Sequence, residues 1–154
     1  MQFPNAAPGM HVNRISIRTP YCSVVINSFE RGSIYSLTRA REDYAANPYP
    51  FIAVVYVSTP FAAQLNPSDL ADPRGRFWKQ FDIELSQGGR IAPGSMKSQP
   101  LYSLGAATDT SAIVGAQINI EYDVRDVASK TIRVQVTGPD NRPVAADFDL
   151  DKLR

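Results

Sequence analysis

The stretch that decides the fold is AQINIEYDV at residues 116–124, in which every second residue is apolar and the residues between are polar. Successive side chains of a β-strand point to opposite faces, so this alternation predicts a strand with one buried and one solvated face. Residues 132–136 and 144–150 repeat the pattern, with turn-forming residues at 126–129 and 138–141 between the runs. The C-terminal third therefore predicts a three-stranded antiparallel meander.

The pairing of this meander follows from the rule that buried residues lie opposite buried residues. If the first turn is centred on residues 127–128, Asp123 faces Arg133. The second turn then places Asp147 or Asp149 on the other side of Arg133. The sequence thus predicts a cation flanked by carboxylates, which fixes the strand register and has no catalytic role.

Upstream of the meander, FIAVVYVS at residues 51–58 is apolar at successive positions and predicts an interior strand that is covered on both faces. Residues 77–85 alternate towards their end and predict another strand, and QGG at residues 87–89 predicts a turn. Residues 91–104 contain Pro93, Gly94 and Pro100, which break long elements. We expect this last segment to be irregular.

Two short helices are predicted near the N-terminal end, after a short strand at residues 13–18. Threonine is a favourable N-cap and proline suits the first helical position, so Thr19-Pro20 indicates a helix start. Apolar residues follow at helical spacing as far as Phe29. A second start at Thr38 leads to Ala46, where Asn-Pro at residues 47–48 ends the helix.

Together these elements predict a mainly β chain, folded as an antiparallel β-sandwich of six to seven strands with one or two short helices near its N-terminal end. A closed or half-open barrel is the alternative. Residues 1–12 are expected to form a flexible N-terminal tail, and residues 13–154 a single sandwich domain.

Charge and composition exclude several classes of function. Sixteen basic and fifteen acidic residues give a net charge of +1, which provides no long-range attraction for nucleic acid. No apolar run is long enough to predict a transmembrane segment. The single cysteine excludes an intramolecular disulfide, and the glycines form no phosphate-binding loop. We therefore expect no nucleic-acid partner and no nucleotide or other cofactor.

The side chains suited to nucleophilic catalysis are few. His11 is the only histidine, and it falls in the expected tail, where a reacting group is hard to hold in place. Cys22 falls in the first turn of the first predicted helix, where a thiolate is stabilised. A small buried hydrophobic side chain is the alternative role of this cysteine. We predict no catalytic residue.

Acidic residues raise the alternative of a calcium site. Several carboxylates brought together by neighbouring loops suit calcium, as in C2-like sandwiches, but turn and cap roles account for most loop aspartates. Glu84, Glu121 and Asp123 lie on strand faces that we expect to be solvated. We predict no metal site. The aspartates concerned are Asp69, Asp72, Asp123, Asp126, Asp140, Asp147, Asp149 and Asp151.

The segment RFWKQF at residues 76–81 places Phe77, Trp78 and Phe81 between basic side chains. Such a surface can stack on single-stranded nucleic acid. Because the segment is short and the chain has almost no net positive charge, core packing of these aromatic residues is favoured, and a protein-binding surface is the second choice.

By elimination, the sequence predicts a non-enzymatic interaction or structural module whose partner is another protein. The polar MQFPNAAPGM start is typical of a tether, which favours the mature part of an exported bacterial protein or lipoprotein, periplasmic or anchored upstream to the outer membrane. The alternative location is the cytoplasm. Alternative functions are a C2-like sandwich that binds a ligand or calcium through aspartate-rich loops, and a small hydrolase.

Overall fold

A computed structural model describes residues 11–30, 36–46, 48–58, 80–103 and 112–153. The described elements are, in order, β1 (His11–Arg18), α1 (Pro20–Glu30), α2 (Leu37–Ala46), β2 (Phe51–Ser58), β3 (Asp82–Ser86), β4 (Arg90–Ile91), β5 (Ser95–Ser103), β6 (Ala112–Tyr122), β7 (Thr131–Thr137) and β8 (Pro143–Asp149). Short 3-10 helices, Val124–Asp126 and Leu150–Leu153, follow β6 and β8.

The strands form two four-stranded antiparallel sheets, ordered β1-β2-β6-β5 and β4-β3-β7-β8. Buried side chains from both sheets form one apolar cluster, to which β1, β2, β3, β6, β7 and β8 contribute. The predicted mainly β, sandwich-like architecture with two short helices is confirmed. The described residues contain eight strands, however, and not six or seven.

The strand β2 lies between β1 and β6, as its apolar sequence predicted. On its inner face, Ala53, Val55 and Val57 are completely buried. On its outer face Val54 is also buried, whereas Tyr56 is only half-buried. The prediction of an interior strand is therefore confirmed, with full burial on the inner face and partial cover on the outer one.

The predicted three-stranded meander is wrong, because β6 and β7 belong to different sheets. The strand β6 pairs with β2 and β5, and β7 pairs with β3 and β8. Only the β7–β8 hairpin of the prediction exists. Alternation shows which face of a strand is buried, but both sheets bury their inner faces in the same core. Alternation therefore cannot show that the connection after β6 crosses from one sheet to the other.

The pairing predicted for Arg133 is half correct. Its guanidinium donates hydrogen bonds to both carboxylate oxygens of Asp147, at 2.9 and 3.1 Å, in the β7–β8 hairpin. On the other side, Ser86 of β3 occupies the position predicted for Asp123. The Arg133–Asp147 pair links the two strands of the hairpin at a single register.

The prediction that residues 91–104 are irregular is also wrong. They contain β5, a nine-residue strand at the edge of its sheet, which pairs along β6. Pro100 lies opposite Ala116 in this pairing. Proline lacks a backbone N–H and is tolerated in a strand whose outer edge has no neighbour. The breaking residues thus indicated an edge strand and not a loop.

The N-terminal elements agree with the capping signals. The Thr19 hydroxyl accepts a hydrogen bond from the backbone N–H of Cys22 at 3.3 Å, and Pro20 is the first residue of α1. Helix α2 begins one residue before the predicted Thr38, and the Ser36 hydroxyl caps it by accepting from the N–H three residues later at 3.2 Å. Strand β1 begins two residues earlier than predicted, and the rest of the expected tail lies outside the described residues.

Candidate functional site

A cavity of about 630 Å³ lies where the two helices meet one end of the sandwich. This is the end at which β2 begins with Phe51 and β6 finishes with its partner residue Tyr122. The helices contribute Val24 and Ala40 to the wall, and the sandwich contributes Phe51 and Leu150. The volume is within the range of small-molecule sites, roughly 300–1,000 Å³.

The local sequence explains why the helices lie at this end. Both helices are inserted between β1 and β2, so they pack where β1 ends and β2 begins. The Asn27 side chain of α1 donates a hydrogen bond to the Tyr49 hydroxyl at 2.7 Å, just before β2. The Tyr49 ring also contacts Tyr44 of α2, with ring centroids 6.4 Å apart. The segment that leads into β2 therefore joins the two helices.

The electrostatics of the cavity depend on α2. Among the described residues that line the cavity, Arg41 is the one charged side chain. The acids of α2 are engaged elsewhere, because Arg39 lies 3.8 Å from Glu42 and 3.3 Å from Asp43. Positions three and four residues from Arg41 hold no acid, so the helix provides no neighbouring carboxylate for it. The exposed Arg41 forms no ion pair with any residue in the described part of the chain.

The outer side of α1 carries an apolar surface, which we call the α1 row. Tyr21, Val25 and Phe29 repeat every four residues and are 67%, 42% and 88% exposed, and Ile26 beside them is also exposed. The sequence from Pro20 to Phe29 contains no charged residue. A contiguous exposed apolar surface of this kind is typical of an interaction site. Tyr21 belongs to both the α1 row and the cavity wall.

The candidate nucleophile and the candidate base are not brought together. His11 is the first residue of β1, and Cys22 follows the last residue of the same strand by one helical turn. The full length of the strand therefore separates them. The Cys22 side chain is half-buried, and its sulfur lies 3.4 Å from the Thr19 hydroxyl that caps the helix.

The aspartates of the C-terminal third act in turns and ion pairs. Asp123 accepts a hydrogen bond from the backbone N–H of Arg125 at 2.9 Å, and the Arg125 guanidinium lowers the pKa of Asp123 to about 2. Asp140 accepts from a backbone N–H two residues later at 3.2 Å. The ammonium of Lys152, 3.0 Å from Asp149, lowers the pKa of that carboxyl. These contacts confirm the predicted turn and cap roles.

The other acids weighed for the calcium alternative are dispersed. Asp126 and Asp151 lie in the two separate 3-10 helices, and Asp69 and Asp72 lie outside the described residues. Within residues 11–30, 36–46, 48–58, 80–103 and 112–153, no group of three His, Cys, Asp or Glu side chains is placed to hold a metal ion.

The strand carboxylates lie on opposite sides of the molecule, as their different sheets require. Glu121 of β6 accepts hydrogen bonds from Ser95 Oγ at 2.7 Å and Lys97 Nζ at 2.9 Å, and the bond from Lys97 contributes most to lowering its pKa. Glu84 of β3 lies 3.9 Å from Arg90. Both point away from the shared core, so the two carboxylates form no acid–base pair.

Of the aromatic segment at residues 76–81, the structure describes only residues 80 and 81. Phe81 is buried in the core, which confirms core packing for this residue. Phe77, Trp78 and the basic residues Arg76 and Lys79 lie outside the described residues.

We expect the protein to be insensitive to calcium. Its thermal midpoint should be the same in EDTA and in millimolar calcium chloride, because Asp123, Asp140, Asp147 and Asp149 are already engaged by backbone N–H groups or cations, and the described residues hold no group of three acids placed to bind a metal. A ligand that binds only the folded state must stabilise it. Differential scanning fluorimetry checks this, with magnesium chloride at equal ionic strength as the control. A calcium-specific rise of several degrees would instead support the C2-like alternative.

The cavity and the α1 row define this chain as a β-sandwich domain whose helical insertion covers one end and presents an apolar surface. Family models, curated proteins and solved structures were all searched, and none of them matches the chain. Within the described residues, no helix has both the length and the apolar character needed to cross a membrane.

The sequence analysis predicted neither the cavity nor the α1 row. The helical spacing of Tyr21, Val24, Val25 and Phe29 predicts a helix, but it does not show which of these side chains face the sandwich. One signal was available in the sequence: these residues occupy too wide an arc of the helix for all of them to face the sandwich.

Proposed function

We propose that this chain is a non-enzymatic interaction module that binds another protein through the α1 row. The observation that carries the proposal is the exposure of four apolar side chains on one side of a helix that has no charged residue from Pro20 to Phe29. Exposing such a surface to water is unfavourable, and a partner that covers it recovers the hydrophobic free energy.

The chemistry of the row specifies the partner surface. From Tyr21 to Phe29 the row spans about 12 Å of helix, with an aromatic ring near each end. Aromatic side chains are frequent energetic centres of protein interfaces. A charged surface would lose hydration against this row without gaining an ion pair. The matching partner is therefore an apolar, uncharged groove on another protein, which takes a helix face as in other helix-in-groove complexes.

The site chemistry supports a role without catalysis. His11 begins β1 and Cys22 lies in α1 beyond the other end of that strand, and Glu84 and Glu121 lie on opposite outer faces. The described residues provide no observation in favour of the C2-like alternative or of a hydrolase.

We further propose that the module works in the bacterial cell envelope, as the mature part of an exported protein or lipoprotein. The support is the polar composition of residues 1–10, with two prolines, which is typical of a linker. Fractionation of the organism that makes the protein tests this, with detection by antibody in periplasmic, membrane and cytoplasmic fractions. Recovery with the cytoplasmic markers would contradict the proposed location.

Loss of the row should abolish partner binding and leave the fold intact. A photo-crosslinking residue at position 29 identifies the partner in cells, and binding is then measured with the purified partner. The double variant Val25→Ser, Phe29→Ser should weaken the Kd at least tenfold, because exposed interface centres commonly contribute more than 1 kcal/mol each. Its thermal midpoint should change little, since both side chains are exposed.

The control for this experiment is Tyr102→Ser. Tyr102 is also an exposed aromatic residue at 52%, but it lies at the opposite end of its sheet from α1. This variant should bind the partner as the wild type does. If the double variant binds with unchanged affinity, the α1 row is not the docking surface and the proposal fails.

A further inference from the structure

The cavity where the helices meet the sandwich has the volume and the largely apolar lining of a site for one hydrocarbon chain. Its volume is about 630 Å³, and its walls include Val24, Ala40, Phe51 and Leu150. Phe51 is 2% exposed and Ala40 is 6% exposed, so these two wall residues are held in place by packing. Residues from both helices and from the sandwich line this space, and its volume suits a small ligand and not a lipid bilayer.

The charge at the cavity is positive, and no acid in the described part of the chain pairs with it. Arg41 lines the cavity, and Arg39 occupies both acids of the same helix. Thr19, which caps α1, and Pro20, the first residue of α1, lie in the same lining. The N-terminal end of a helix carries partial positive charge, which adds to that of Arg41. A ligand that matches this cavity has an apolar body and one anionic group.

We propose that the cavity binds a single-chain carboxylate amphiphile of the fatty-acid class. The hydrocarbon chain lies between α1, α2 and the end of the sandwich, and the carboxylate lies at Arg41. This small-molecule site is distinct from the protein-docking role of the α1 row and does not depend on it. The two meet at Tyr21, which contributes to both surfaces.

The first test is calorimetric titration of the purified protein with octanoate, decanoate and dodecanoate below their micelle concentrations. Each added methylene should tighten the Kd roughly fourfold until the chain fills the cavity. Dodecanol serves as the uncharged comparator, and it should bind more weakly than dodecanoate.

Two matched pairs of variants locate the ligand. Ala128→Trp places an indole at a lining position and should weaken dodecanoate binding at least tenfold. Its control is Ala45→Trp on the exposed side of α2, outside the lining. Arg41→Gln should weaken dodecanoate roughly two- to fivefold, as an exposed ion pair does, and leave dodecanol unchanged. Its control is Arg142→Gln, an exposed arginine just before β8 and at the other end of that strand from the lining residue Leu150, which should change neither ligand. Circular dichroism confirms that all four variants fold.

The proposal is overturned by any of three results. These are the absence of saturable one-to-one binding of dodecanoate, equal effects of the two tryptophan variants, and equal effects of the two glutamine variants. Binding to phosphatidylglycerol vesicles without binding of monomeric dodecanoate also overturns it, because the surface would then recognise a membrane. None of these results bears on partner binding by the Val25, Phe29 double variant, so the two proposals fail separately.

Discussion

Replacing Val55 by aspartate is expected to lower the free energy of unfolding by at least about 3–5 kcal/mol, the usual effect of an uncompensated buried charge. Val55 is completely buried at the centre of β2, opposite Ile15 of β1 and Ile118 of β6. Both neighbours are themselves fully buried and apolar. A carboxylate there loses its hydration and gains no hydrogen-bond donor from these side chains.

Urea unfolding followed by circular dichroism measures this change. Because small domains are stable by only about 5–15 kcal/mol, Val55→Asp can fail to fold, and Val55→Ala is the second variant. Removal of the two methyl groups should cost about 2 kcal/mol through lost burial and the cavity left behind.

The matched control is Val114→Asp in β6. Val114 is 40% exposed, so its aspartate stays hydrated and should change the free energy of unfolding by less than about 1 kcal/mol. Equal losses for Val55→Asp and Val114→Asp would contradict the placement of β2 as the interior strand of its sheet.

The buried face of each strand could be predicted because alternation is a local property. Ile118, Ile120 and Tyr122 were assigned to the buried face, and all three are at most 1% exposed. The same holds for Ile132 and Val134 of β7, which are completely buried. Capping chemistry is local as well, and Thr19-Pro20 marked the start of α1 correctly.

The partner of each strand could not be predicted in this way. Tyr122 and Val134 are buried in one core whether their strands are neighbours or lie in facing sheets. The alternation of buried and exposed residues is therefore the same for a meander and for a connection that crosses between sheets. The prediction for the segment around Pro100 was wrong for a different reason. Proline destabilises an interior strand but is tolerated in an edge strand, and the order of strands in the whole sheet determines which strand lies at the edge.

The candidate site was beyond prediction because tertiary packing creates it. Val24 lines the cavity and Val25 is exposed, although the two are adjacent and chemically identical. Which of them faces the sandwich depends on how α1 is placed over the strand ends, and the pattern of α1 alone does not contain that information. Likewise, Arg39 of α2 engages both acids of the helix whereas Arg41 forms no ion pair within the described residues, and the helix sequence alone does not show that difference.

The second large effect is expected at Tyr122, where removal of the hydroxyl should stabilise the protein. Tyr122 is 1% exposed, and its hydroxyl has no hydrogen-bond partner within the described part of the chain. An unsatisfied buried polar group costs about 1–3 kcal/mol. Tyr122→Phe keeps the ring and removes only this oxygen, so the free energy of unfolding at pH 7 should rise by about 1–3 kcal/mol.

The same burial predicts a distinctive pH dependence. Burial raises the pKa of Tyr122 to about 12 from an ordinary value of 10.0, with Arg90 lowering it and Glu84 raising it to smaller extents. Above pH 10 the unfolded chain therefore loses this proton while the folded chain keeps it, and stability falls as the pH rises towards 12. The phenylalanine variant has no such proton, so its advantage over the wild type should widen by about 1 kcal/mol between pH 7 and pH 11.

Urea unfolding of the wild type and of Tyr122→Phe at pH 7, 9, 10 and 11 measures both effects, since the other titrating groups are common to the two proteins and cancel in the difference. Tyr102→Phe is the control, because this tyrosine is 52% exposed and its hydroxyl is hydrated in the folded and unfolded chains alike. Its difference from the wild type should stay within about 0.5 kcal/mol at every pH. A Tyr122→Phe variant that is less stable than the wild type at pH 7 would show that the hydroxyl has a partner, an ordered water in the core, and that the core around β6 is polar at this point.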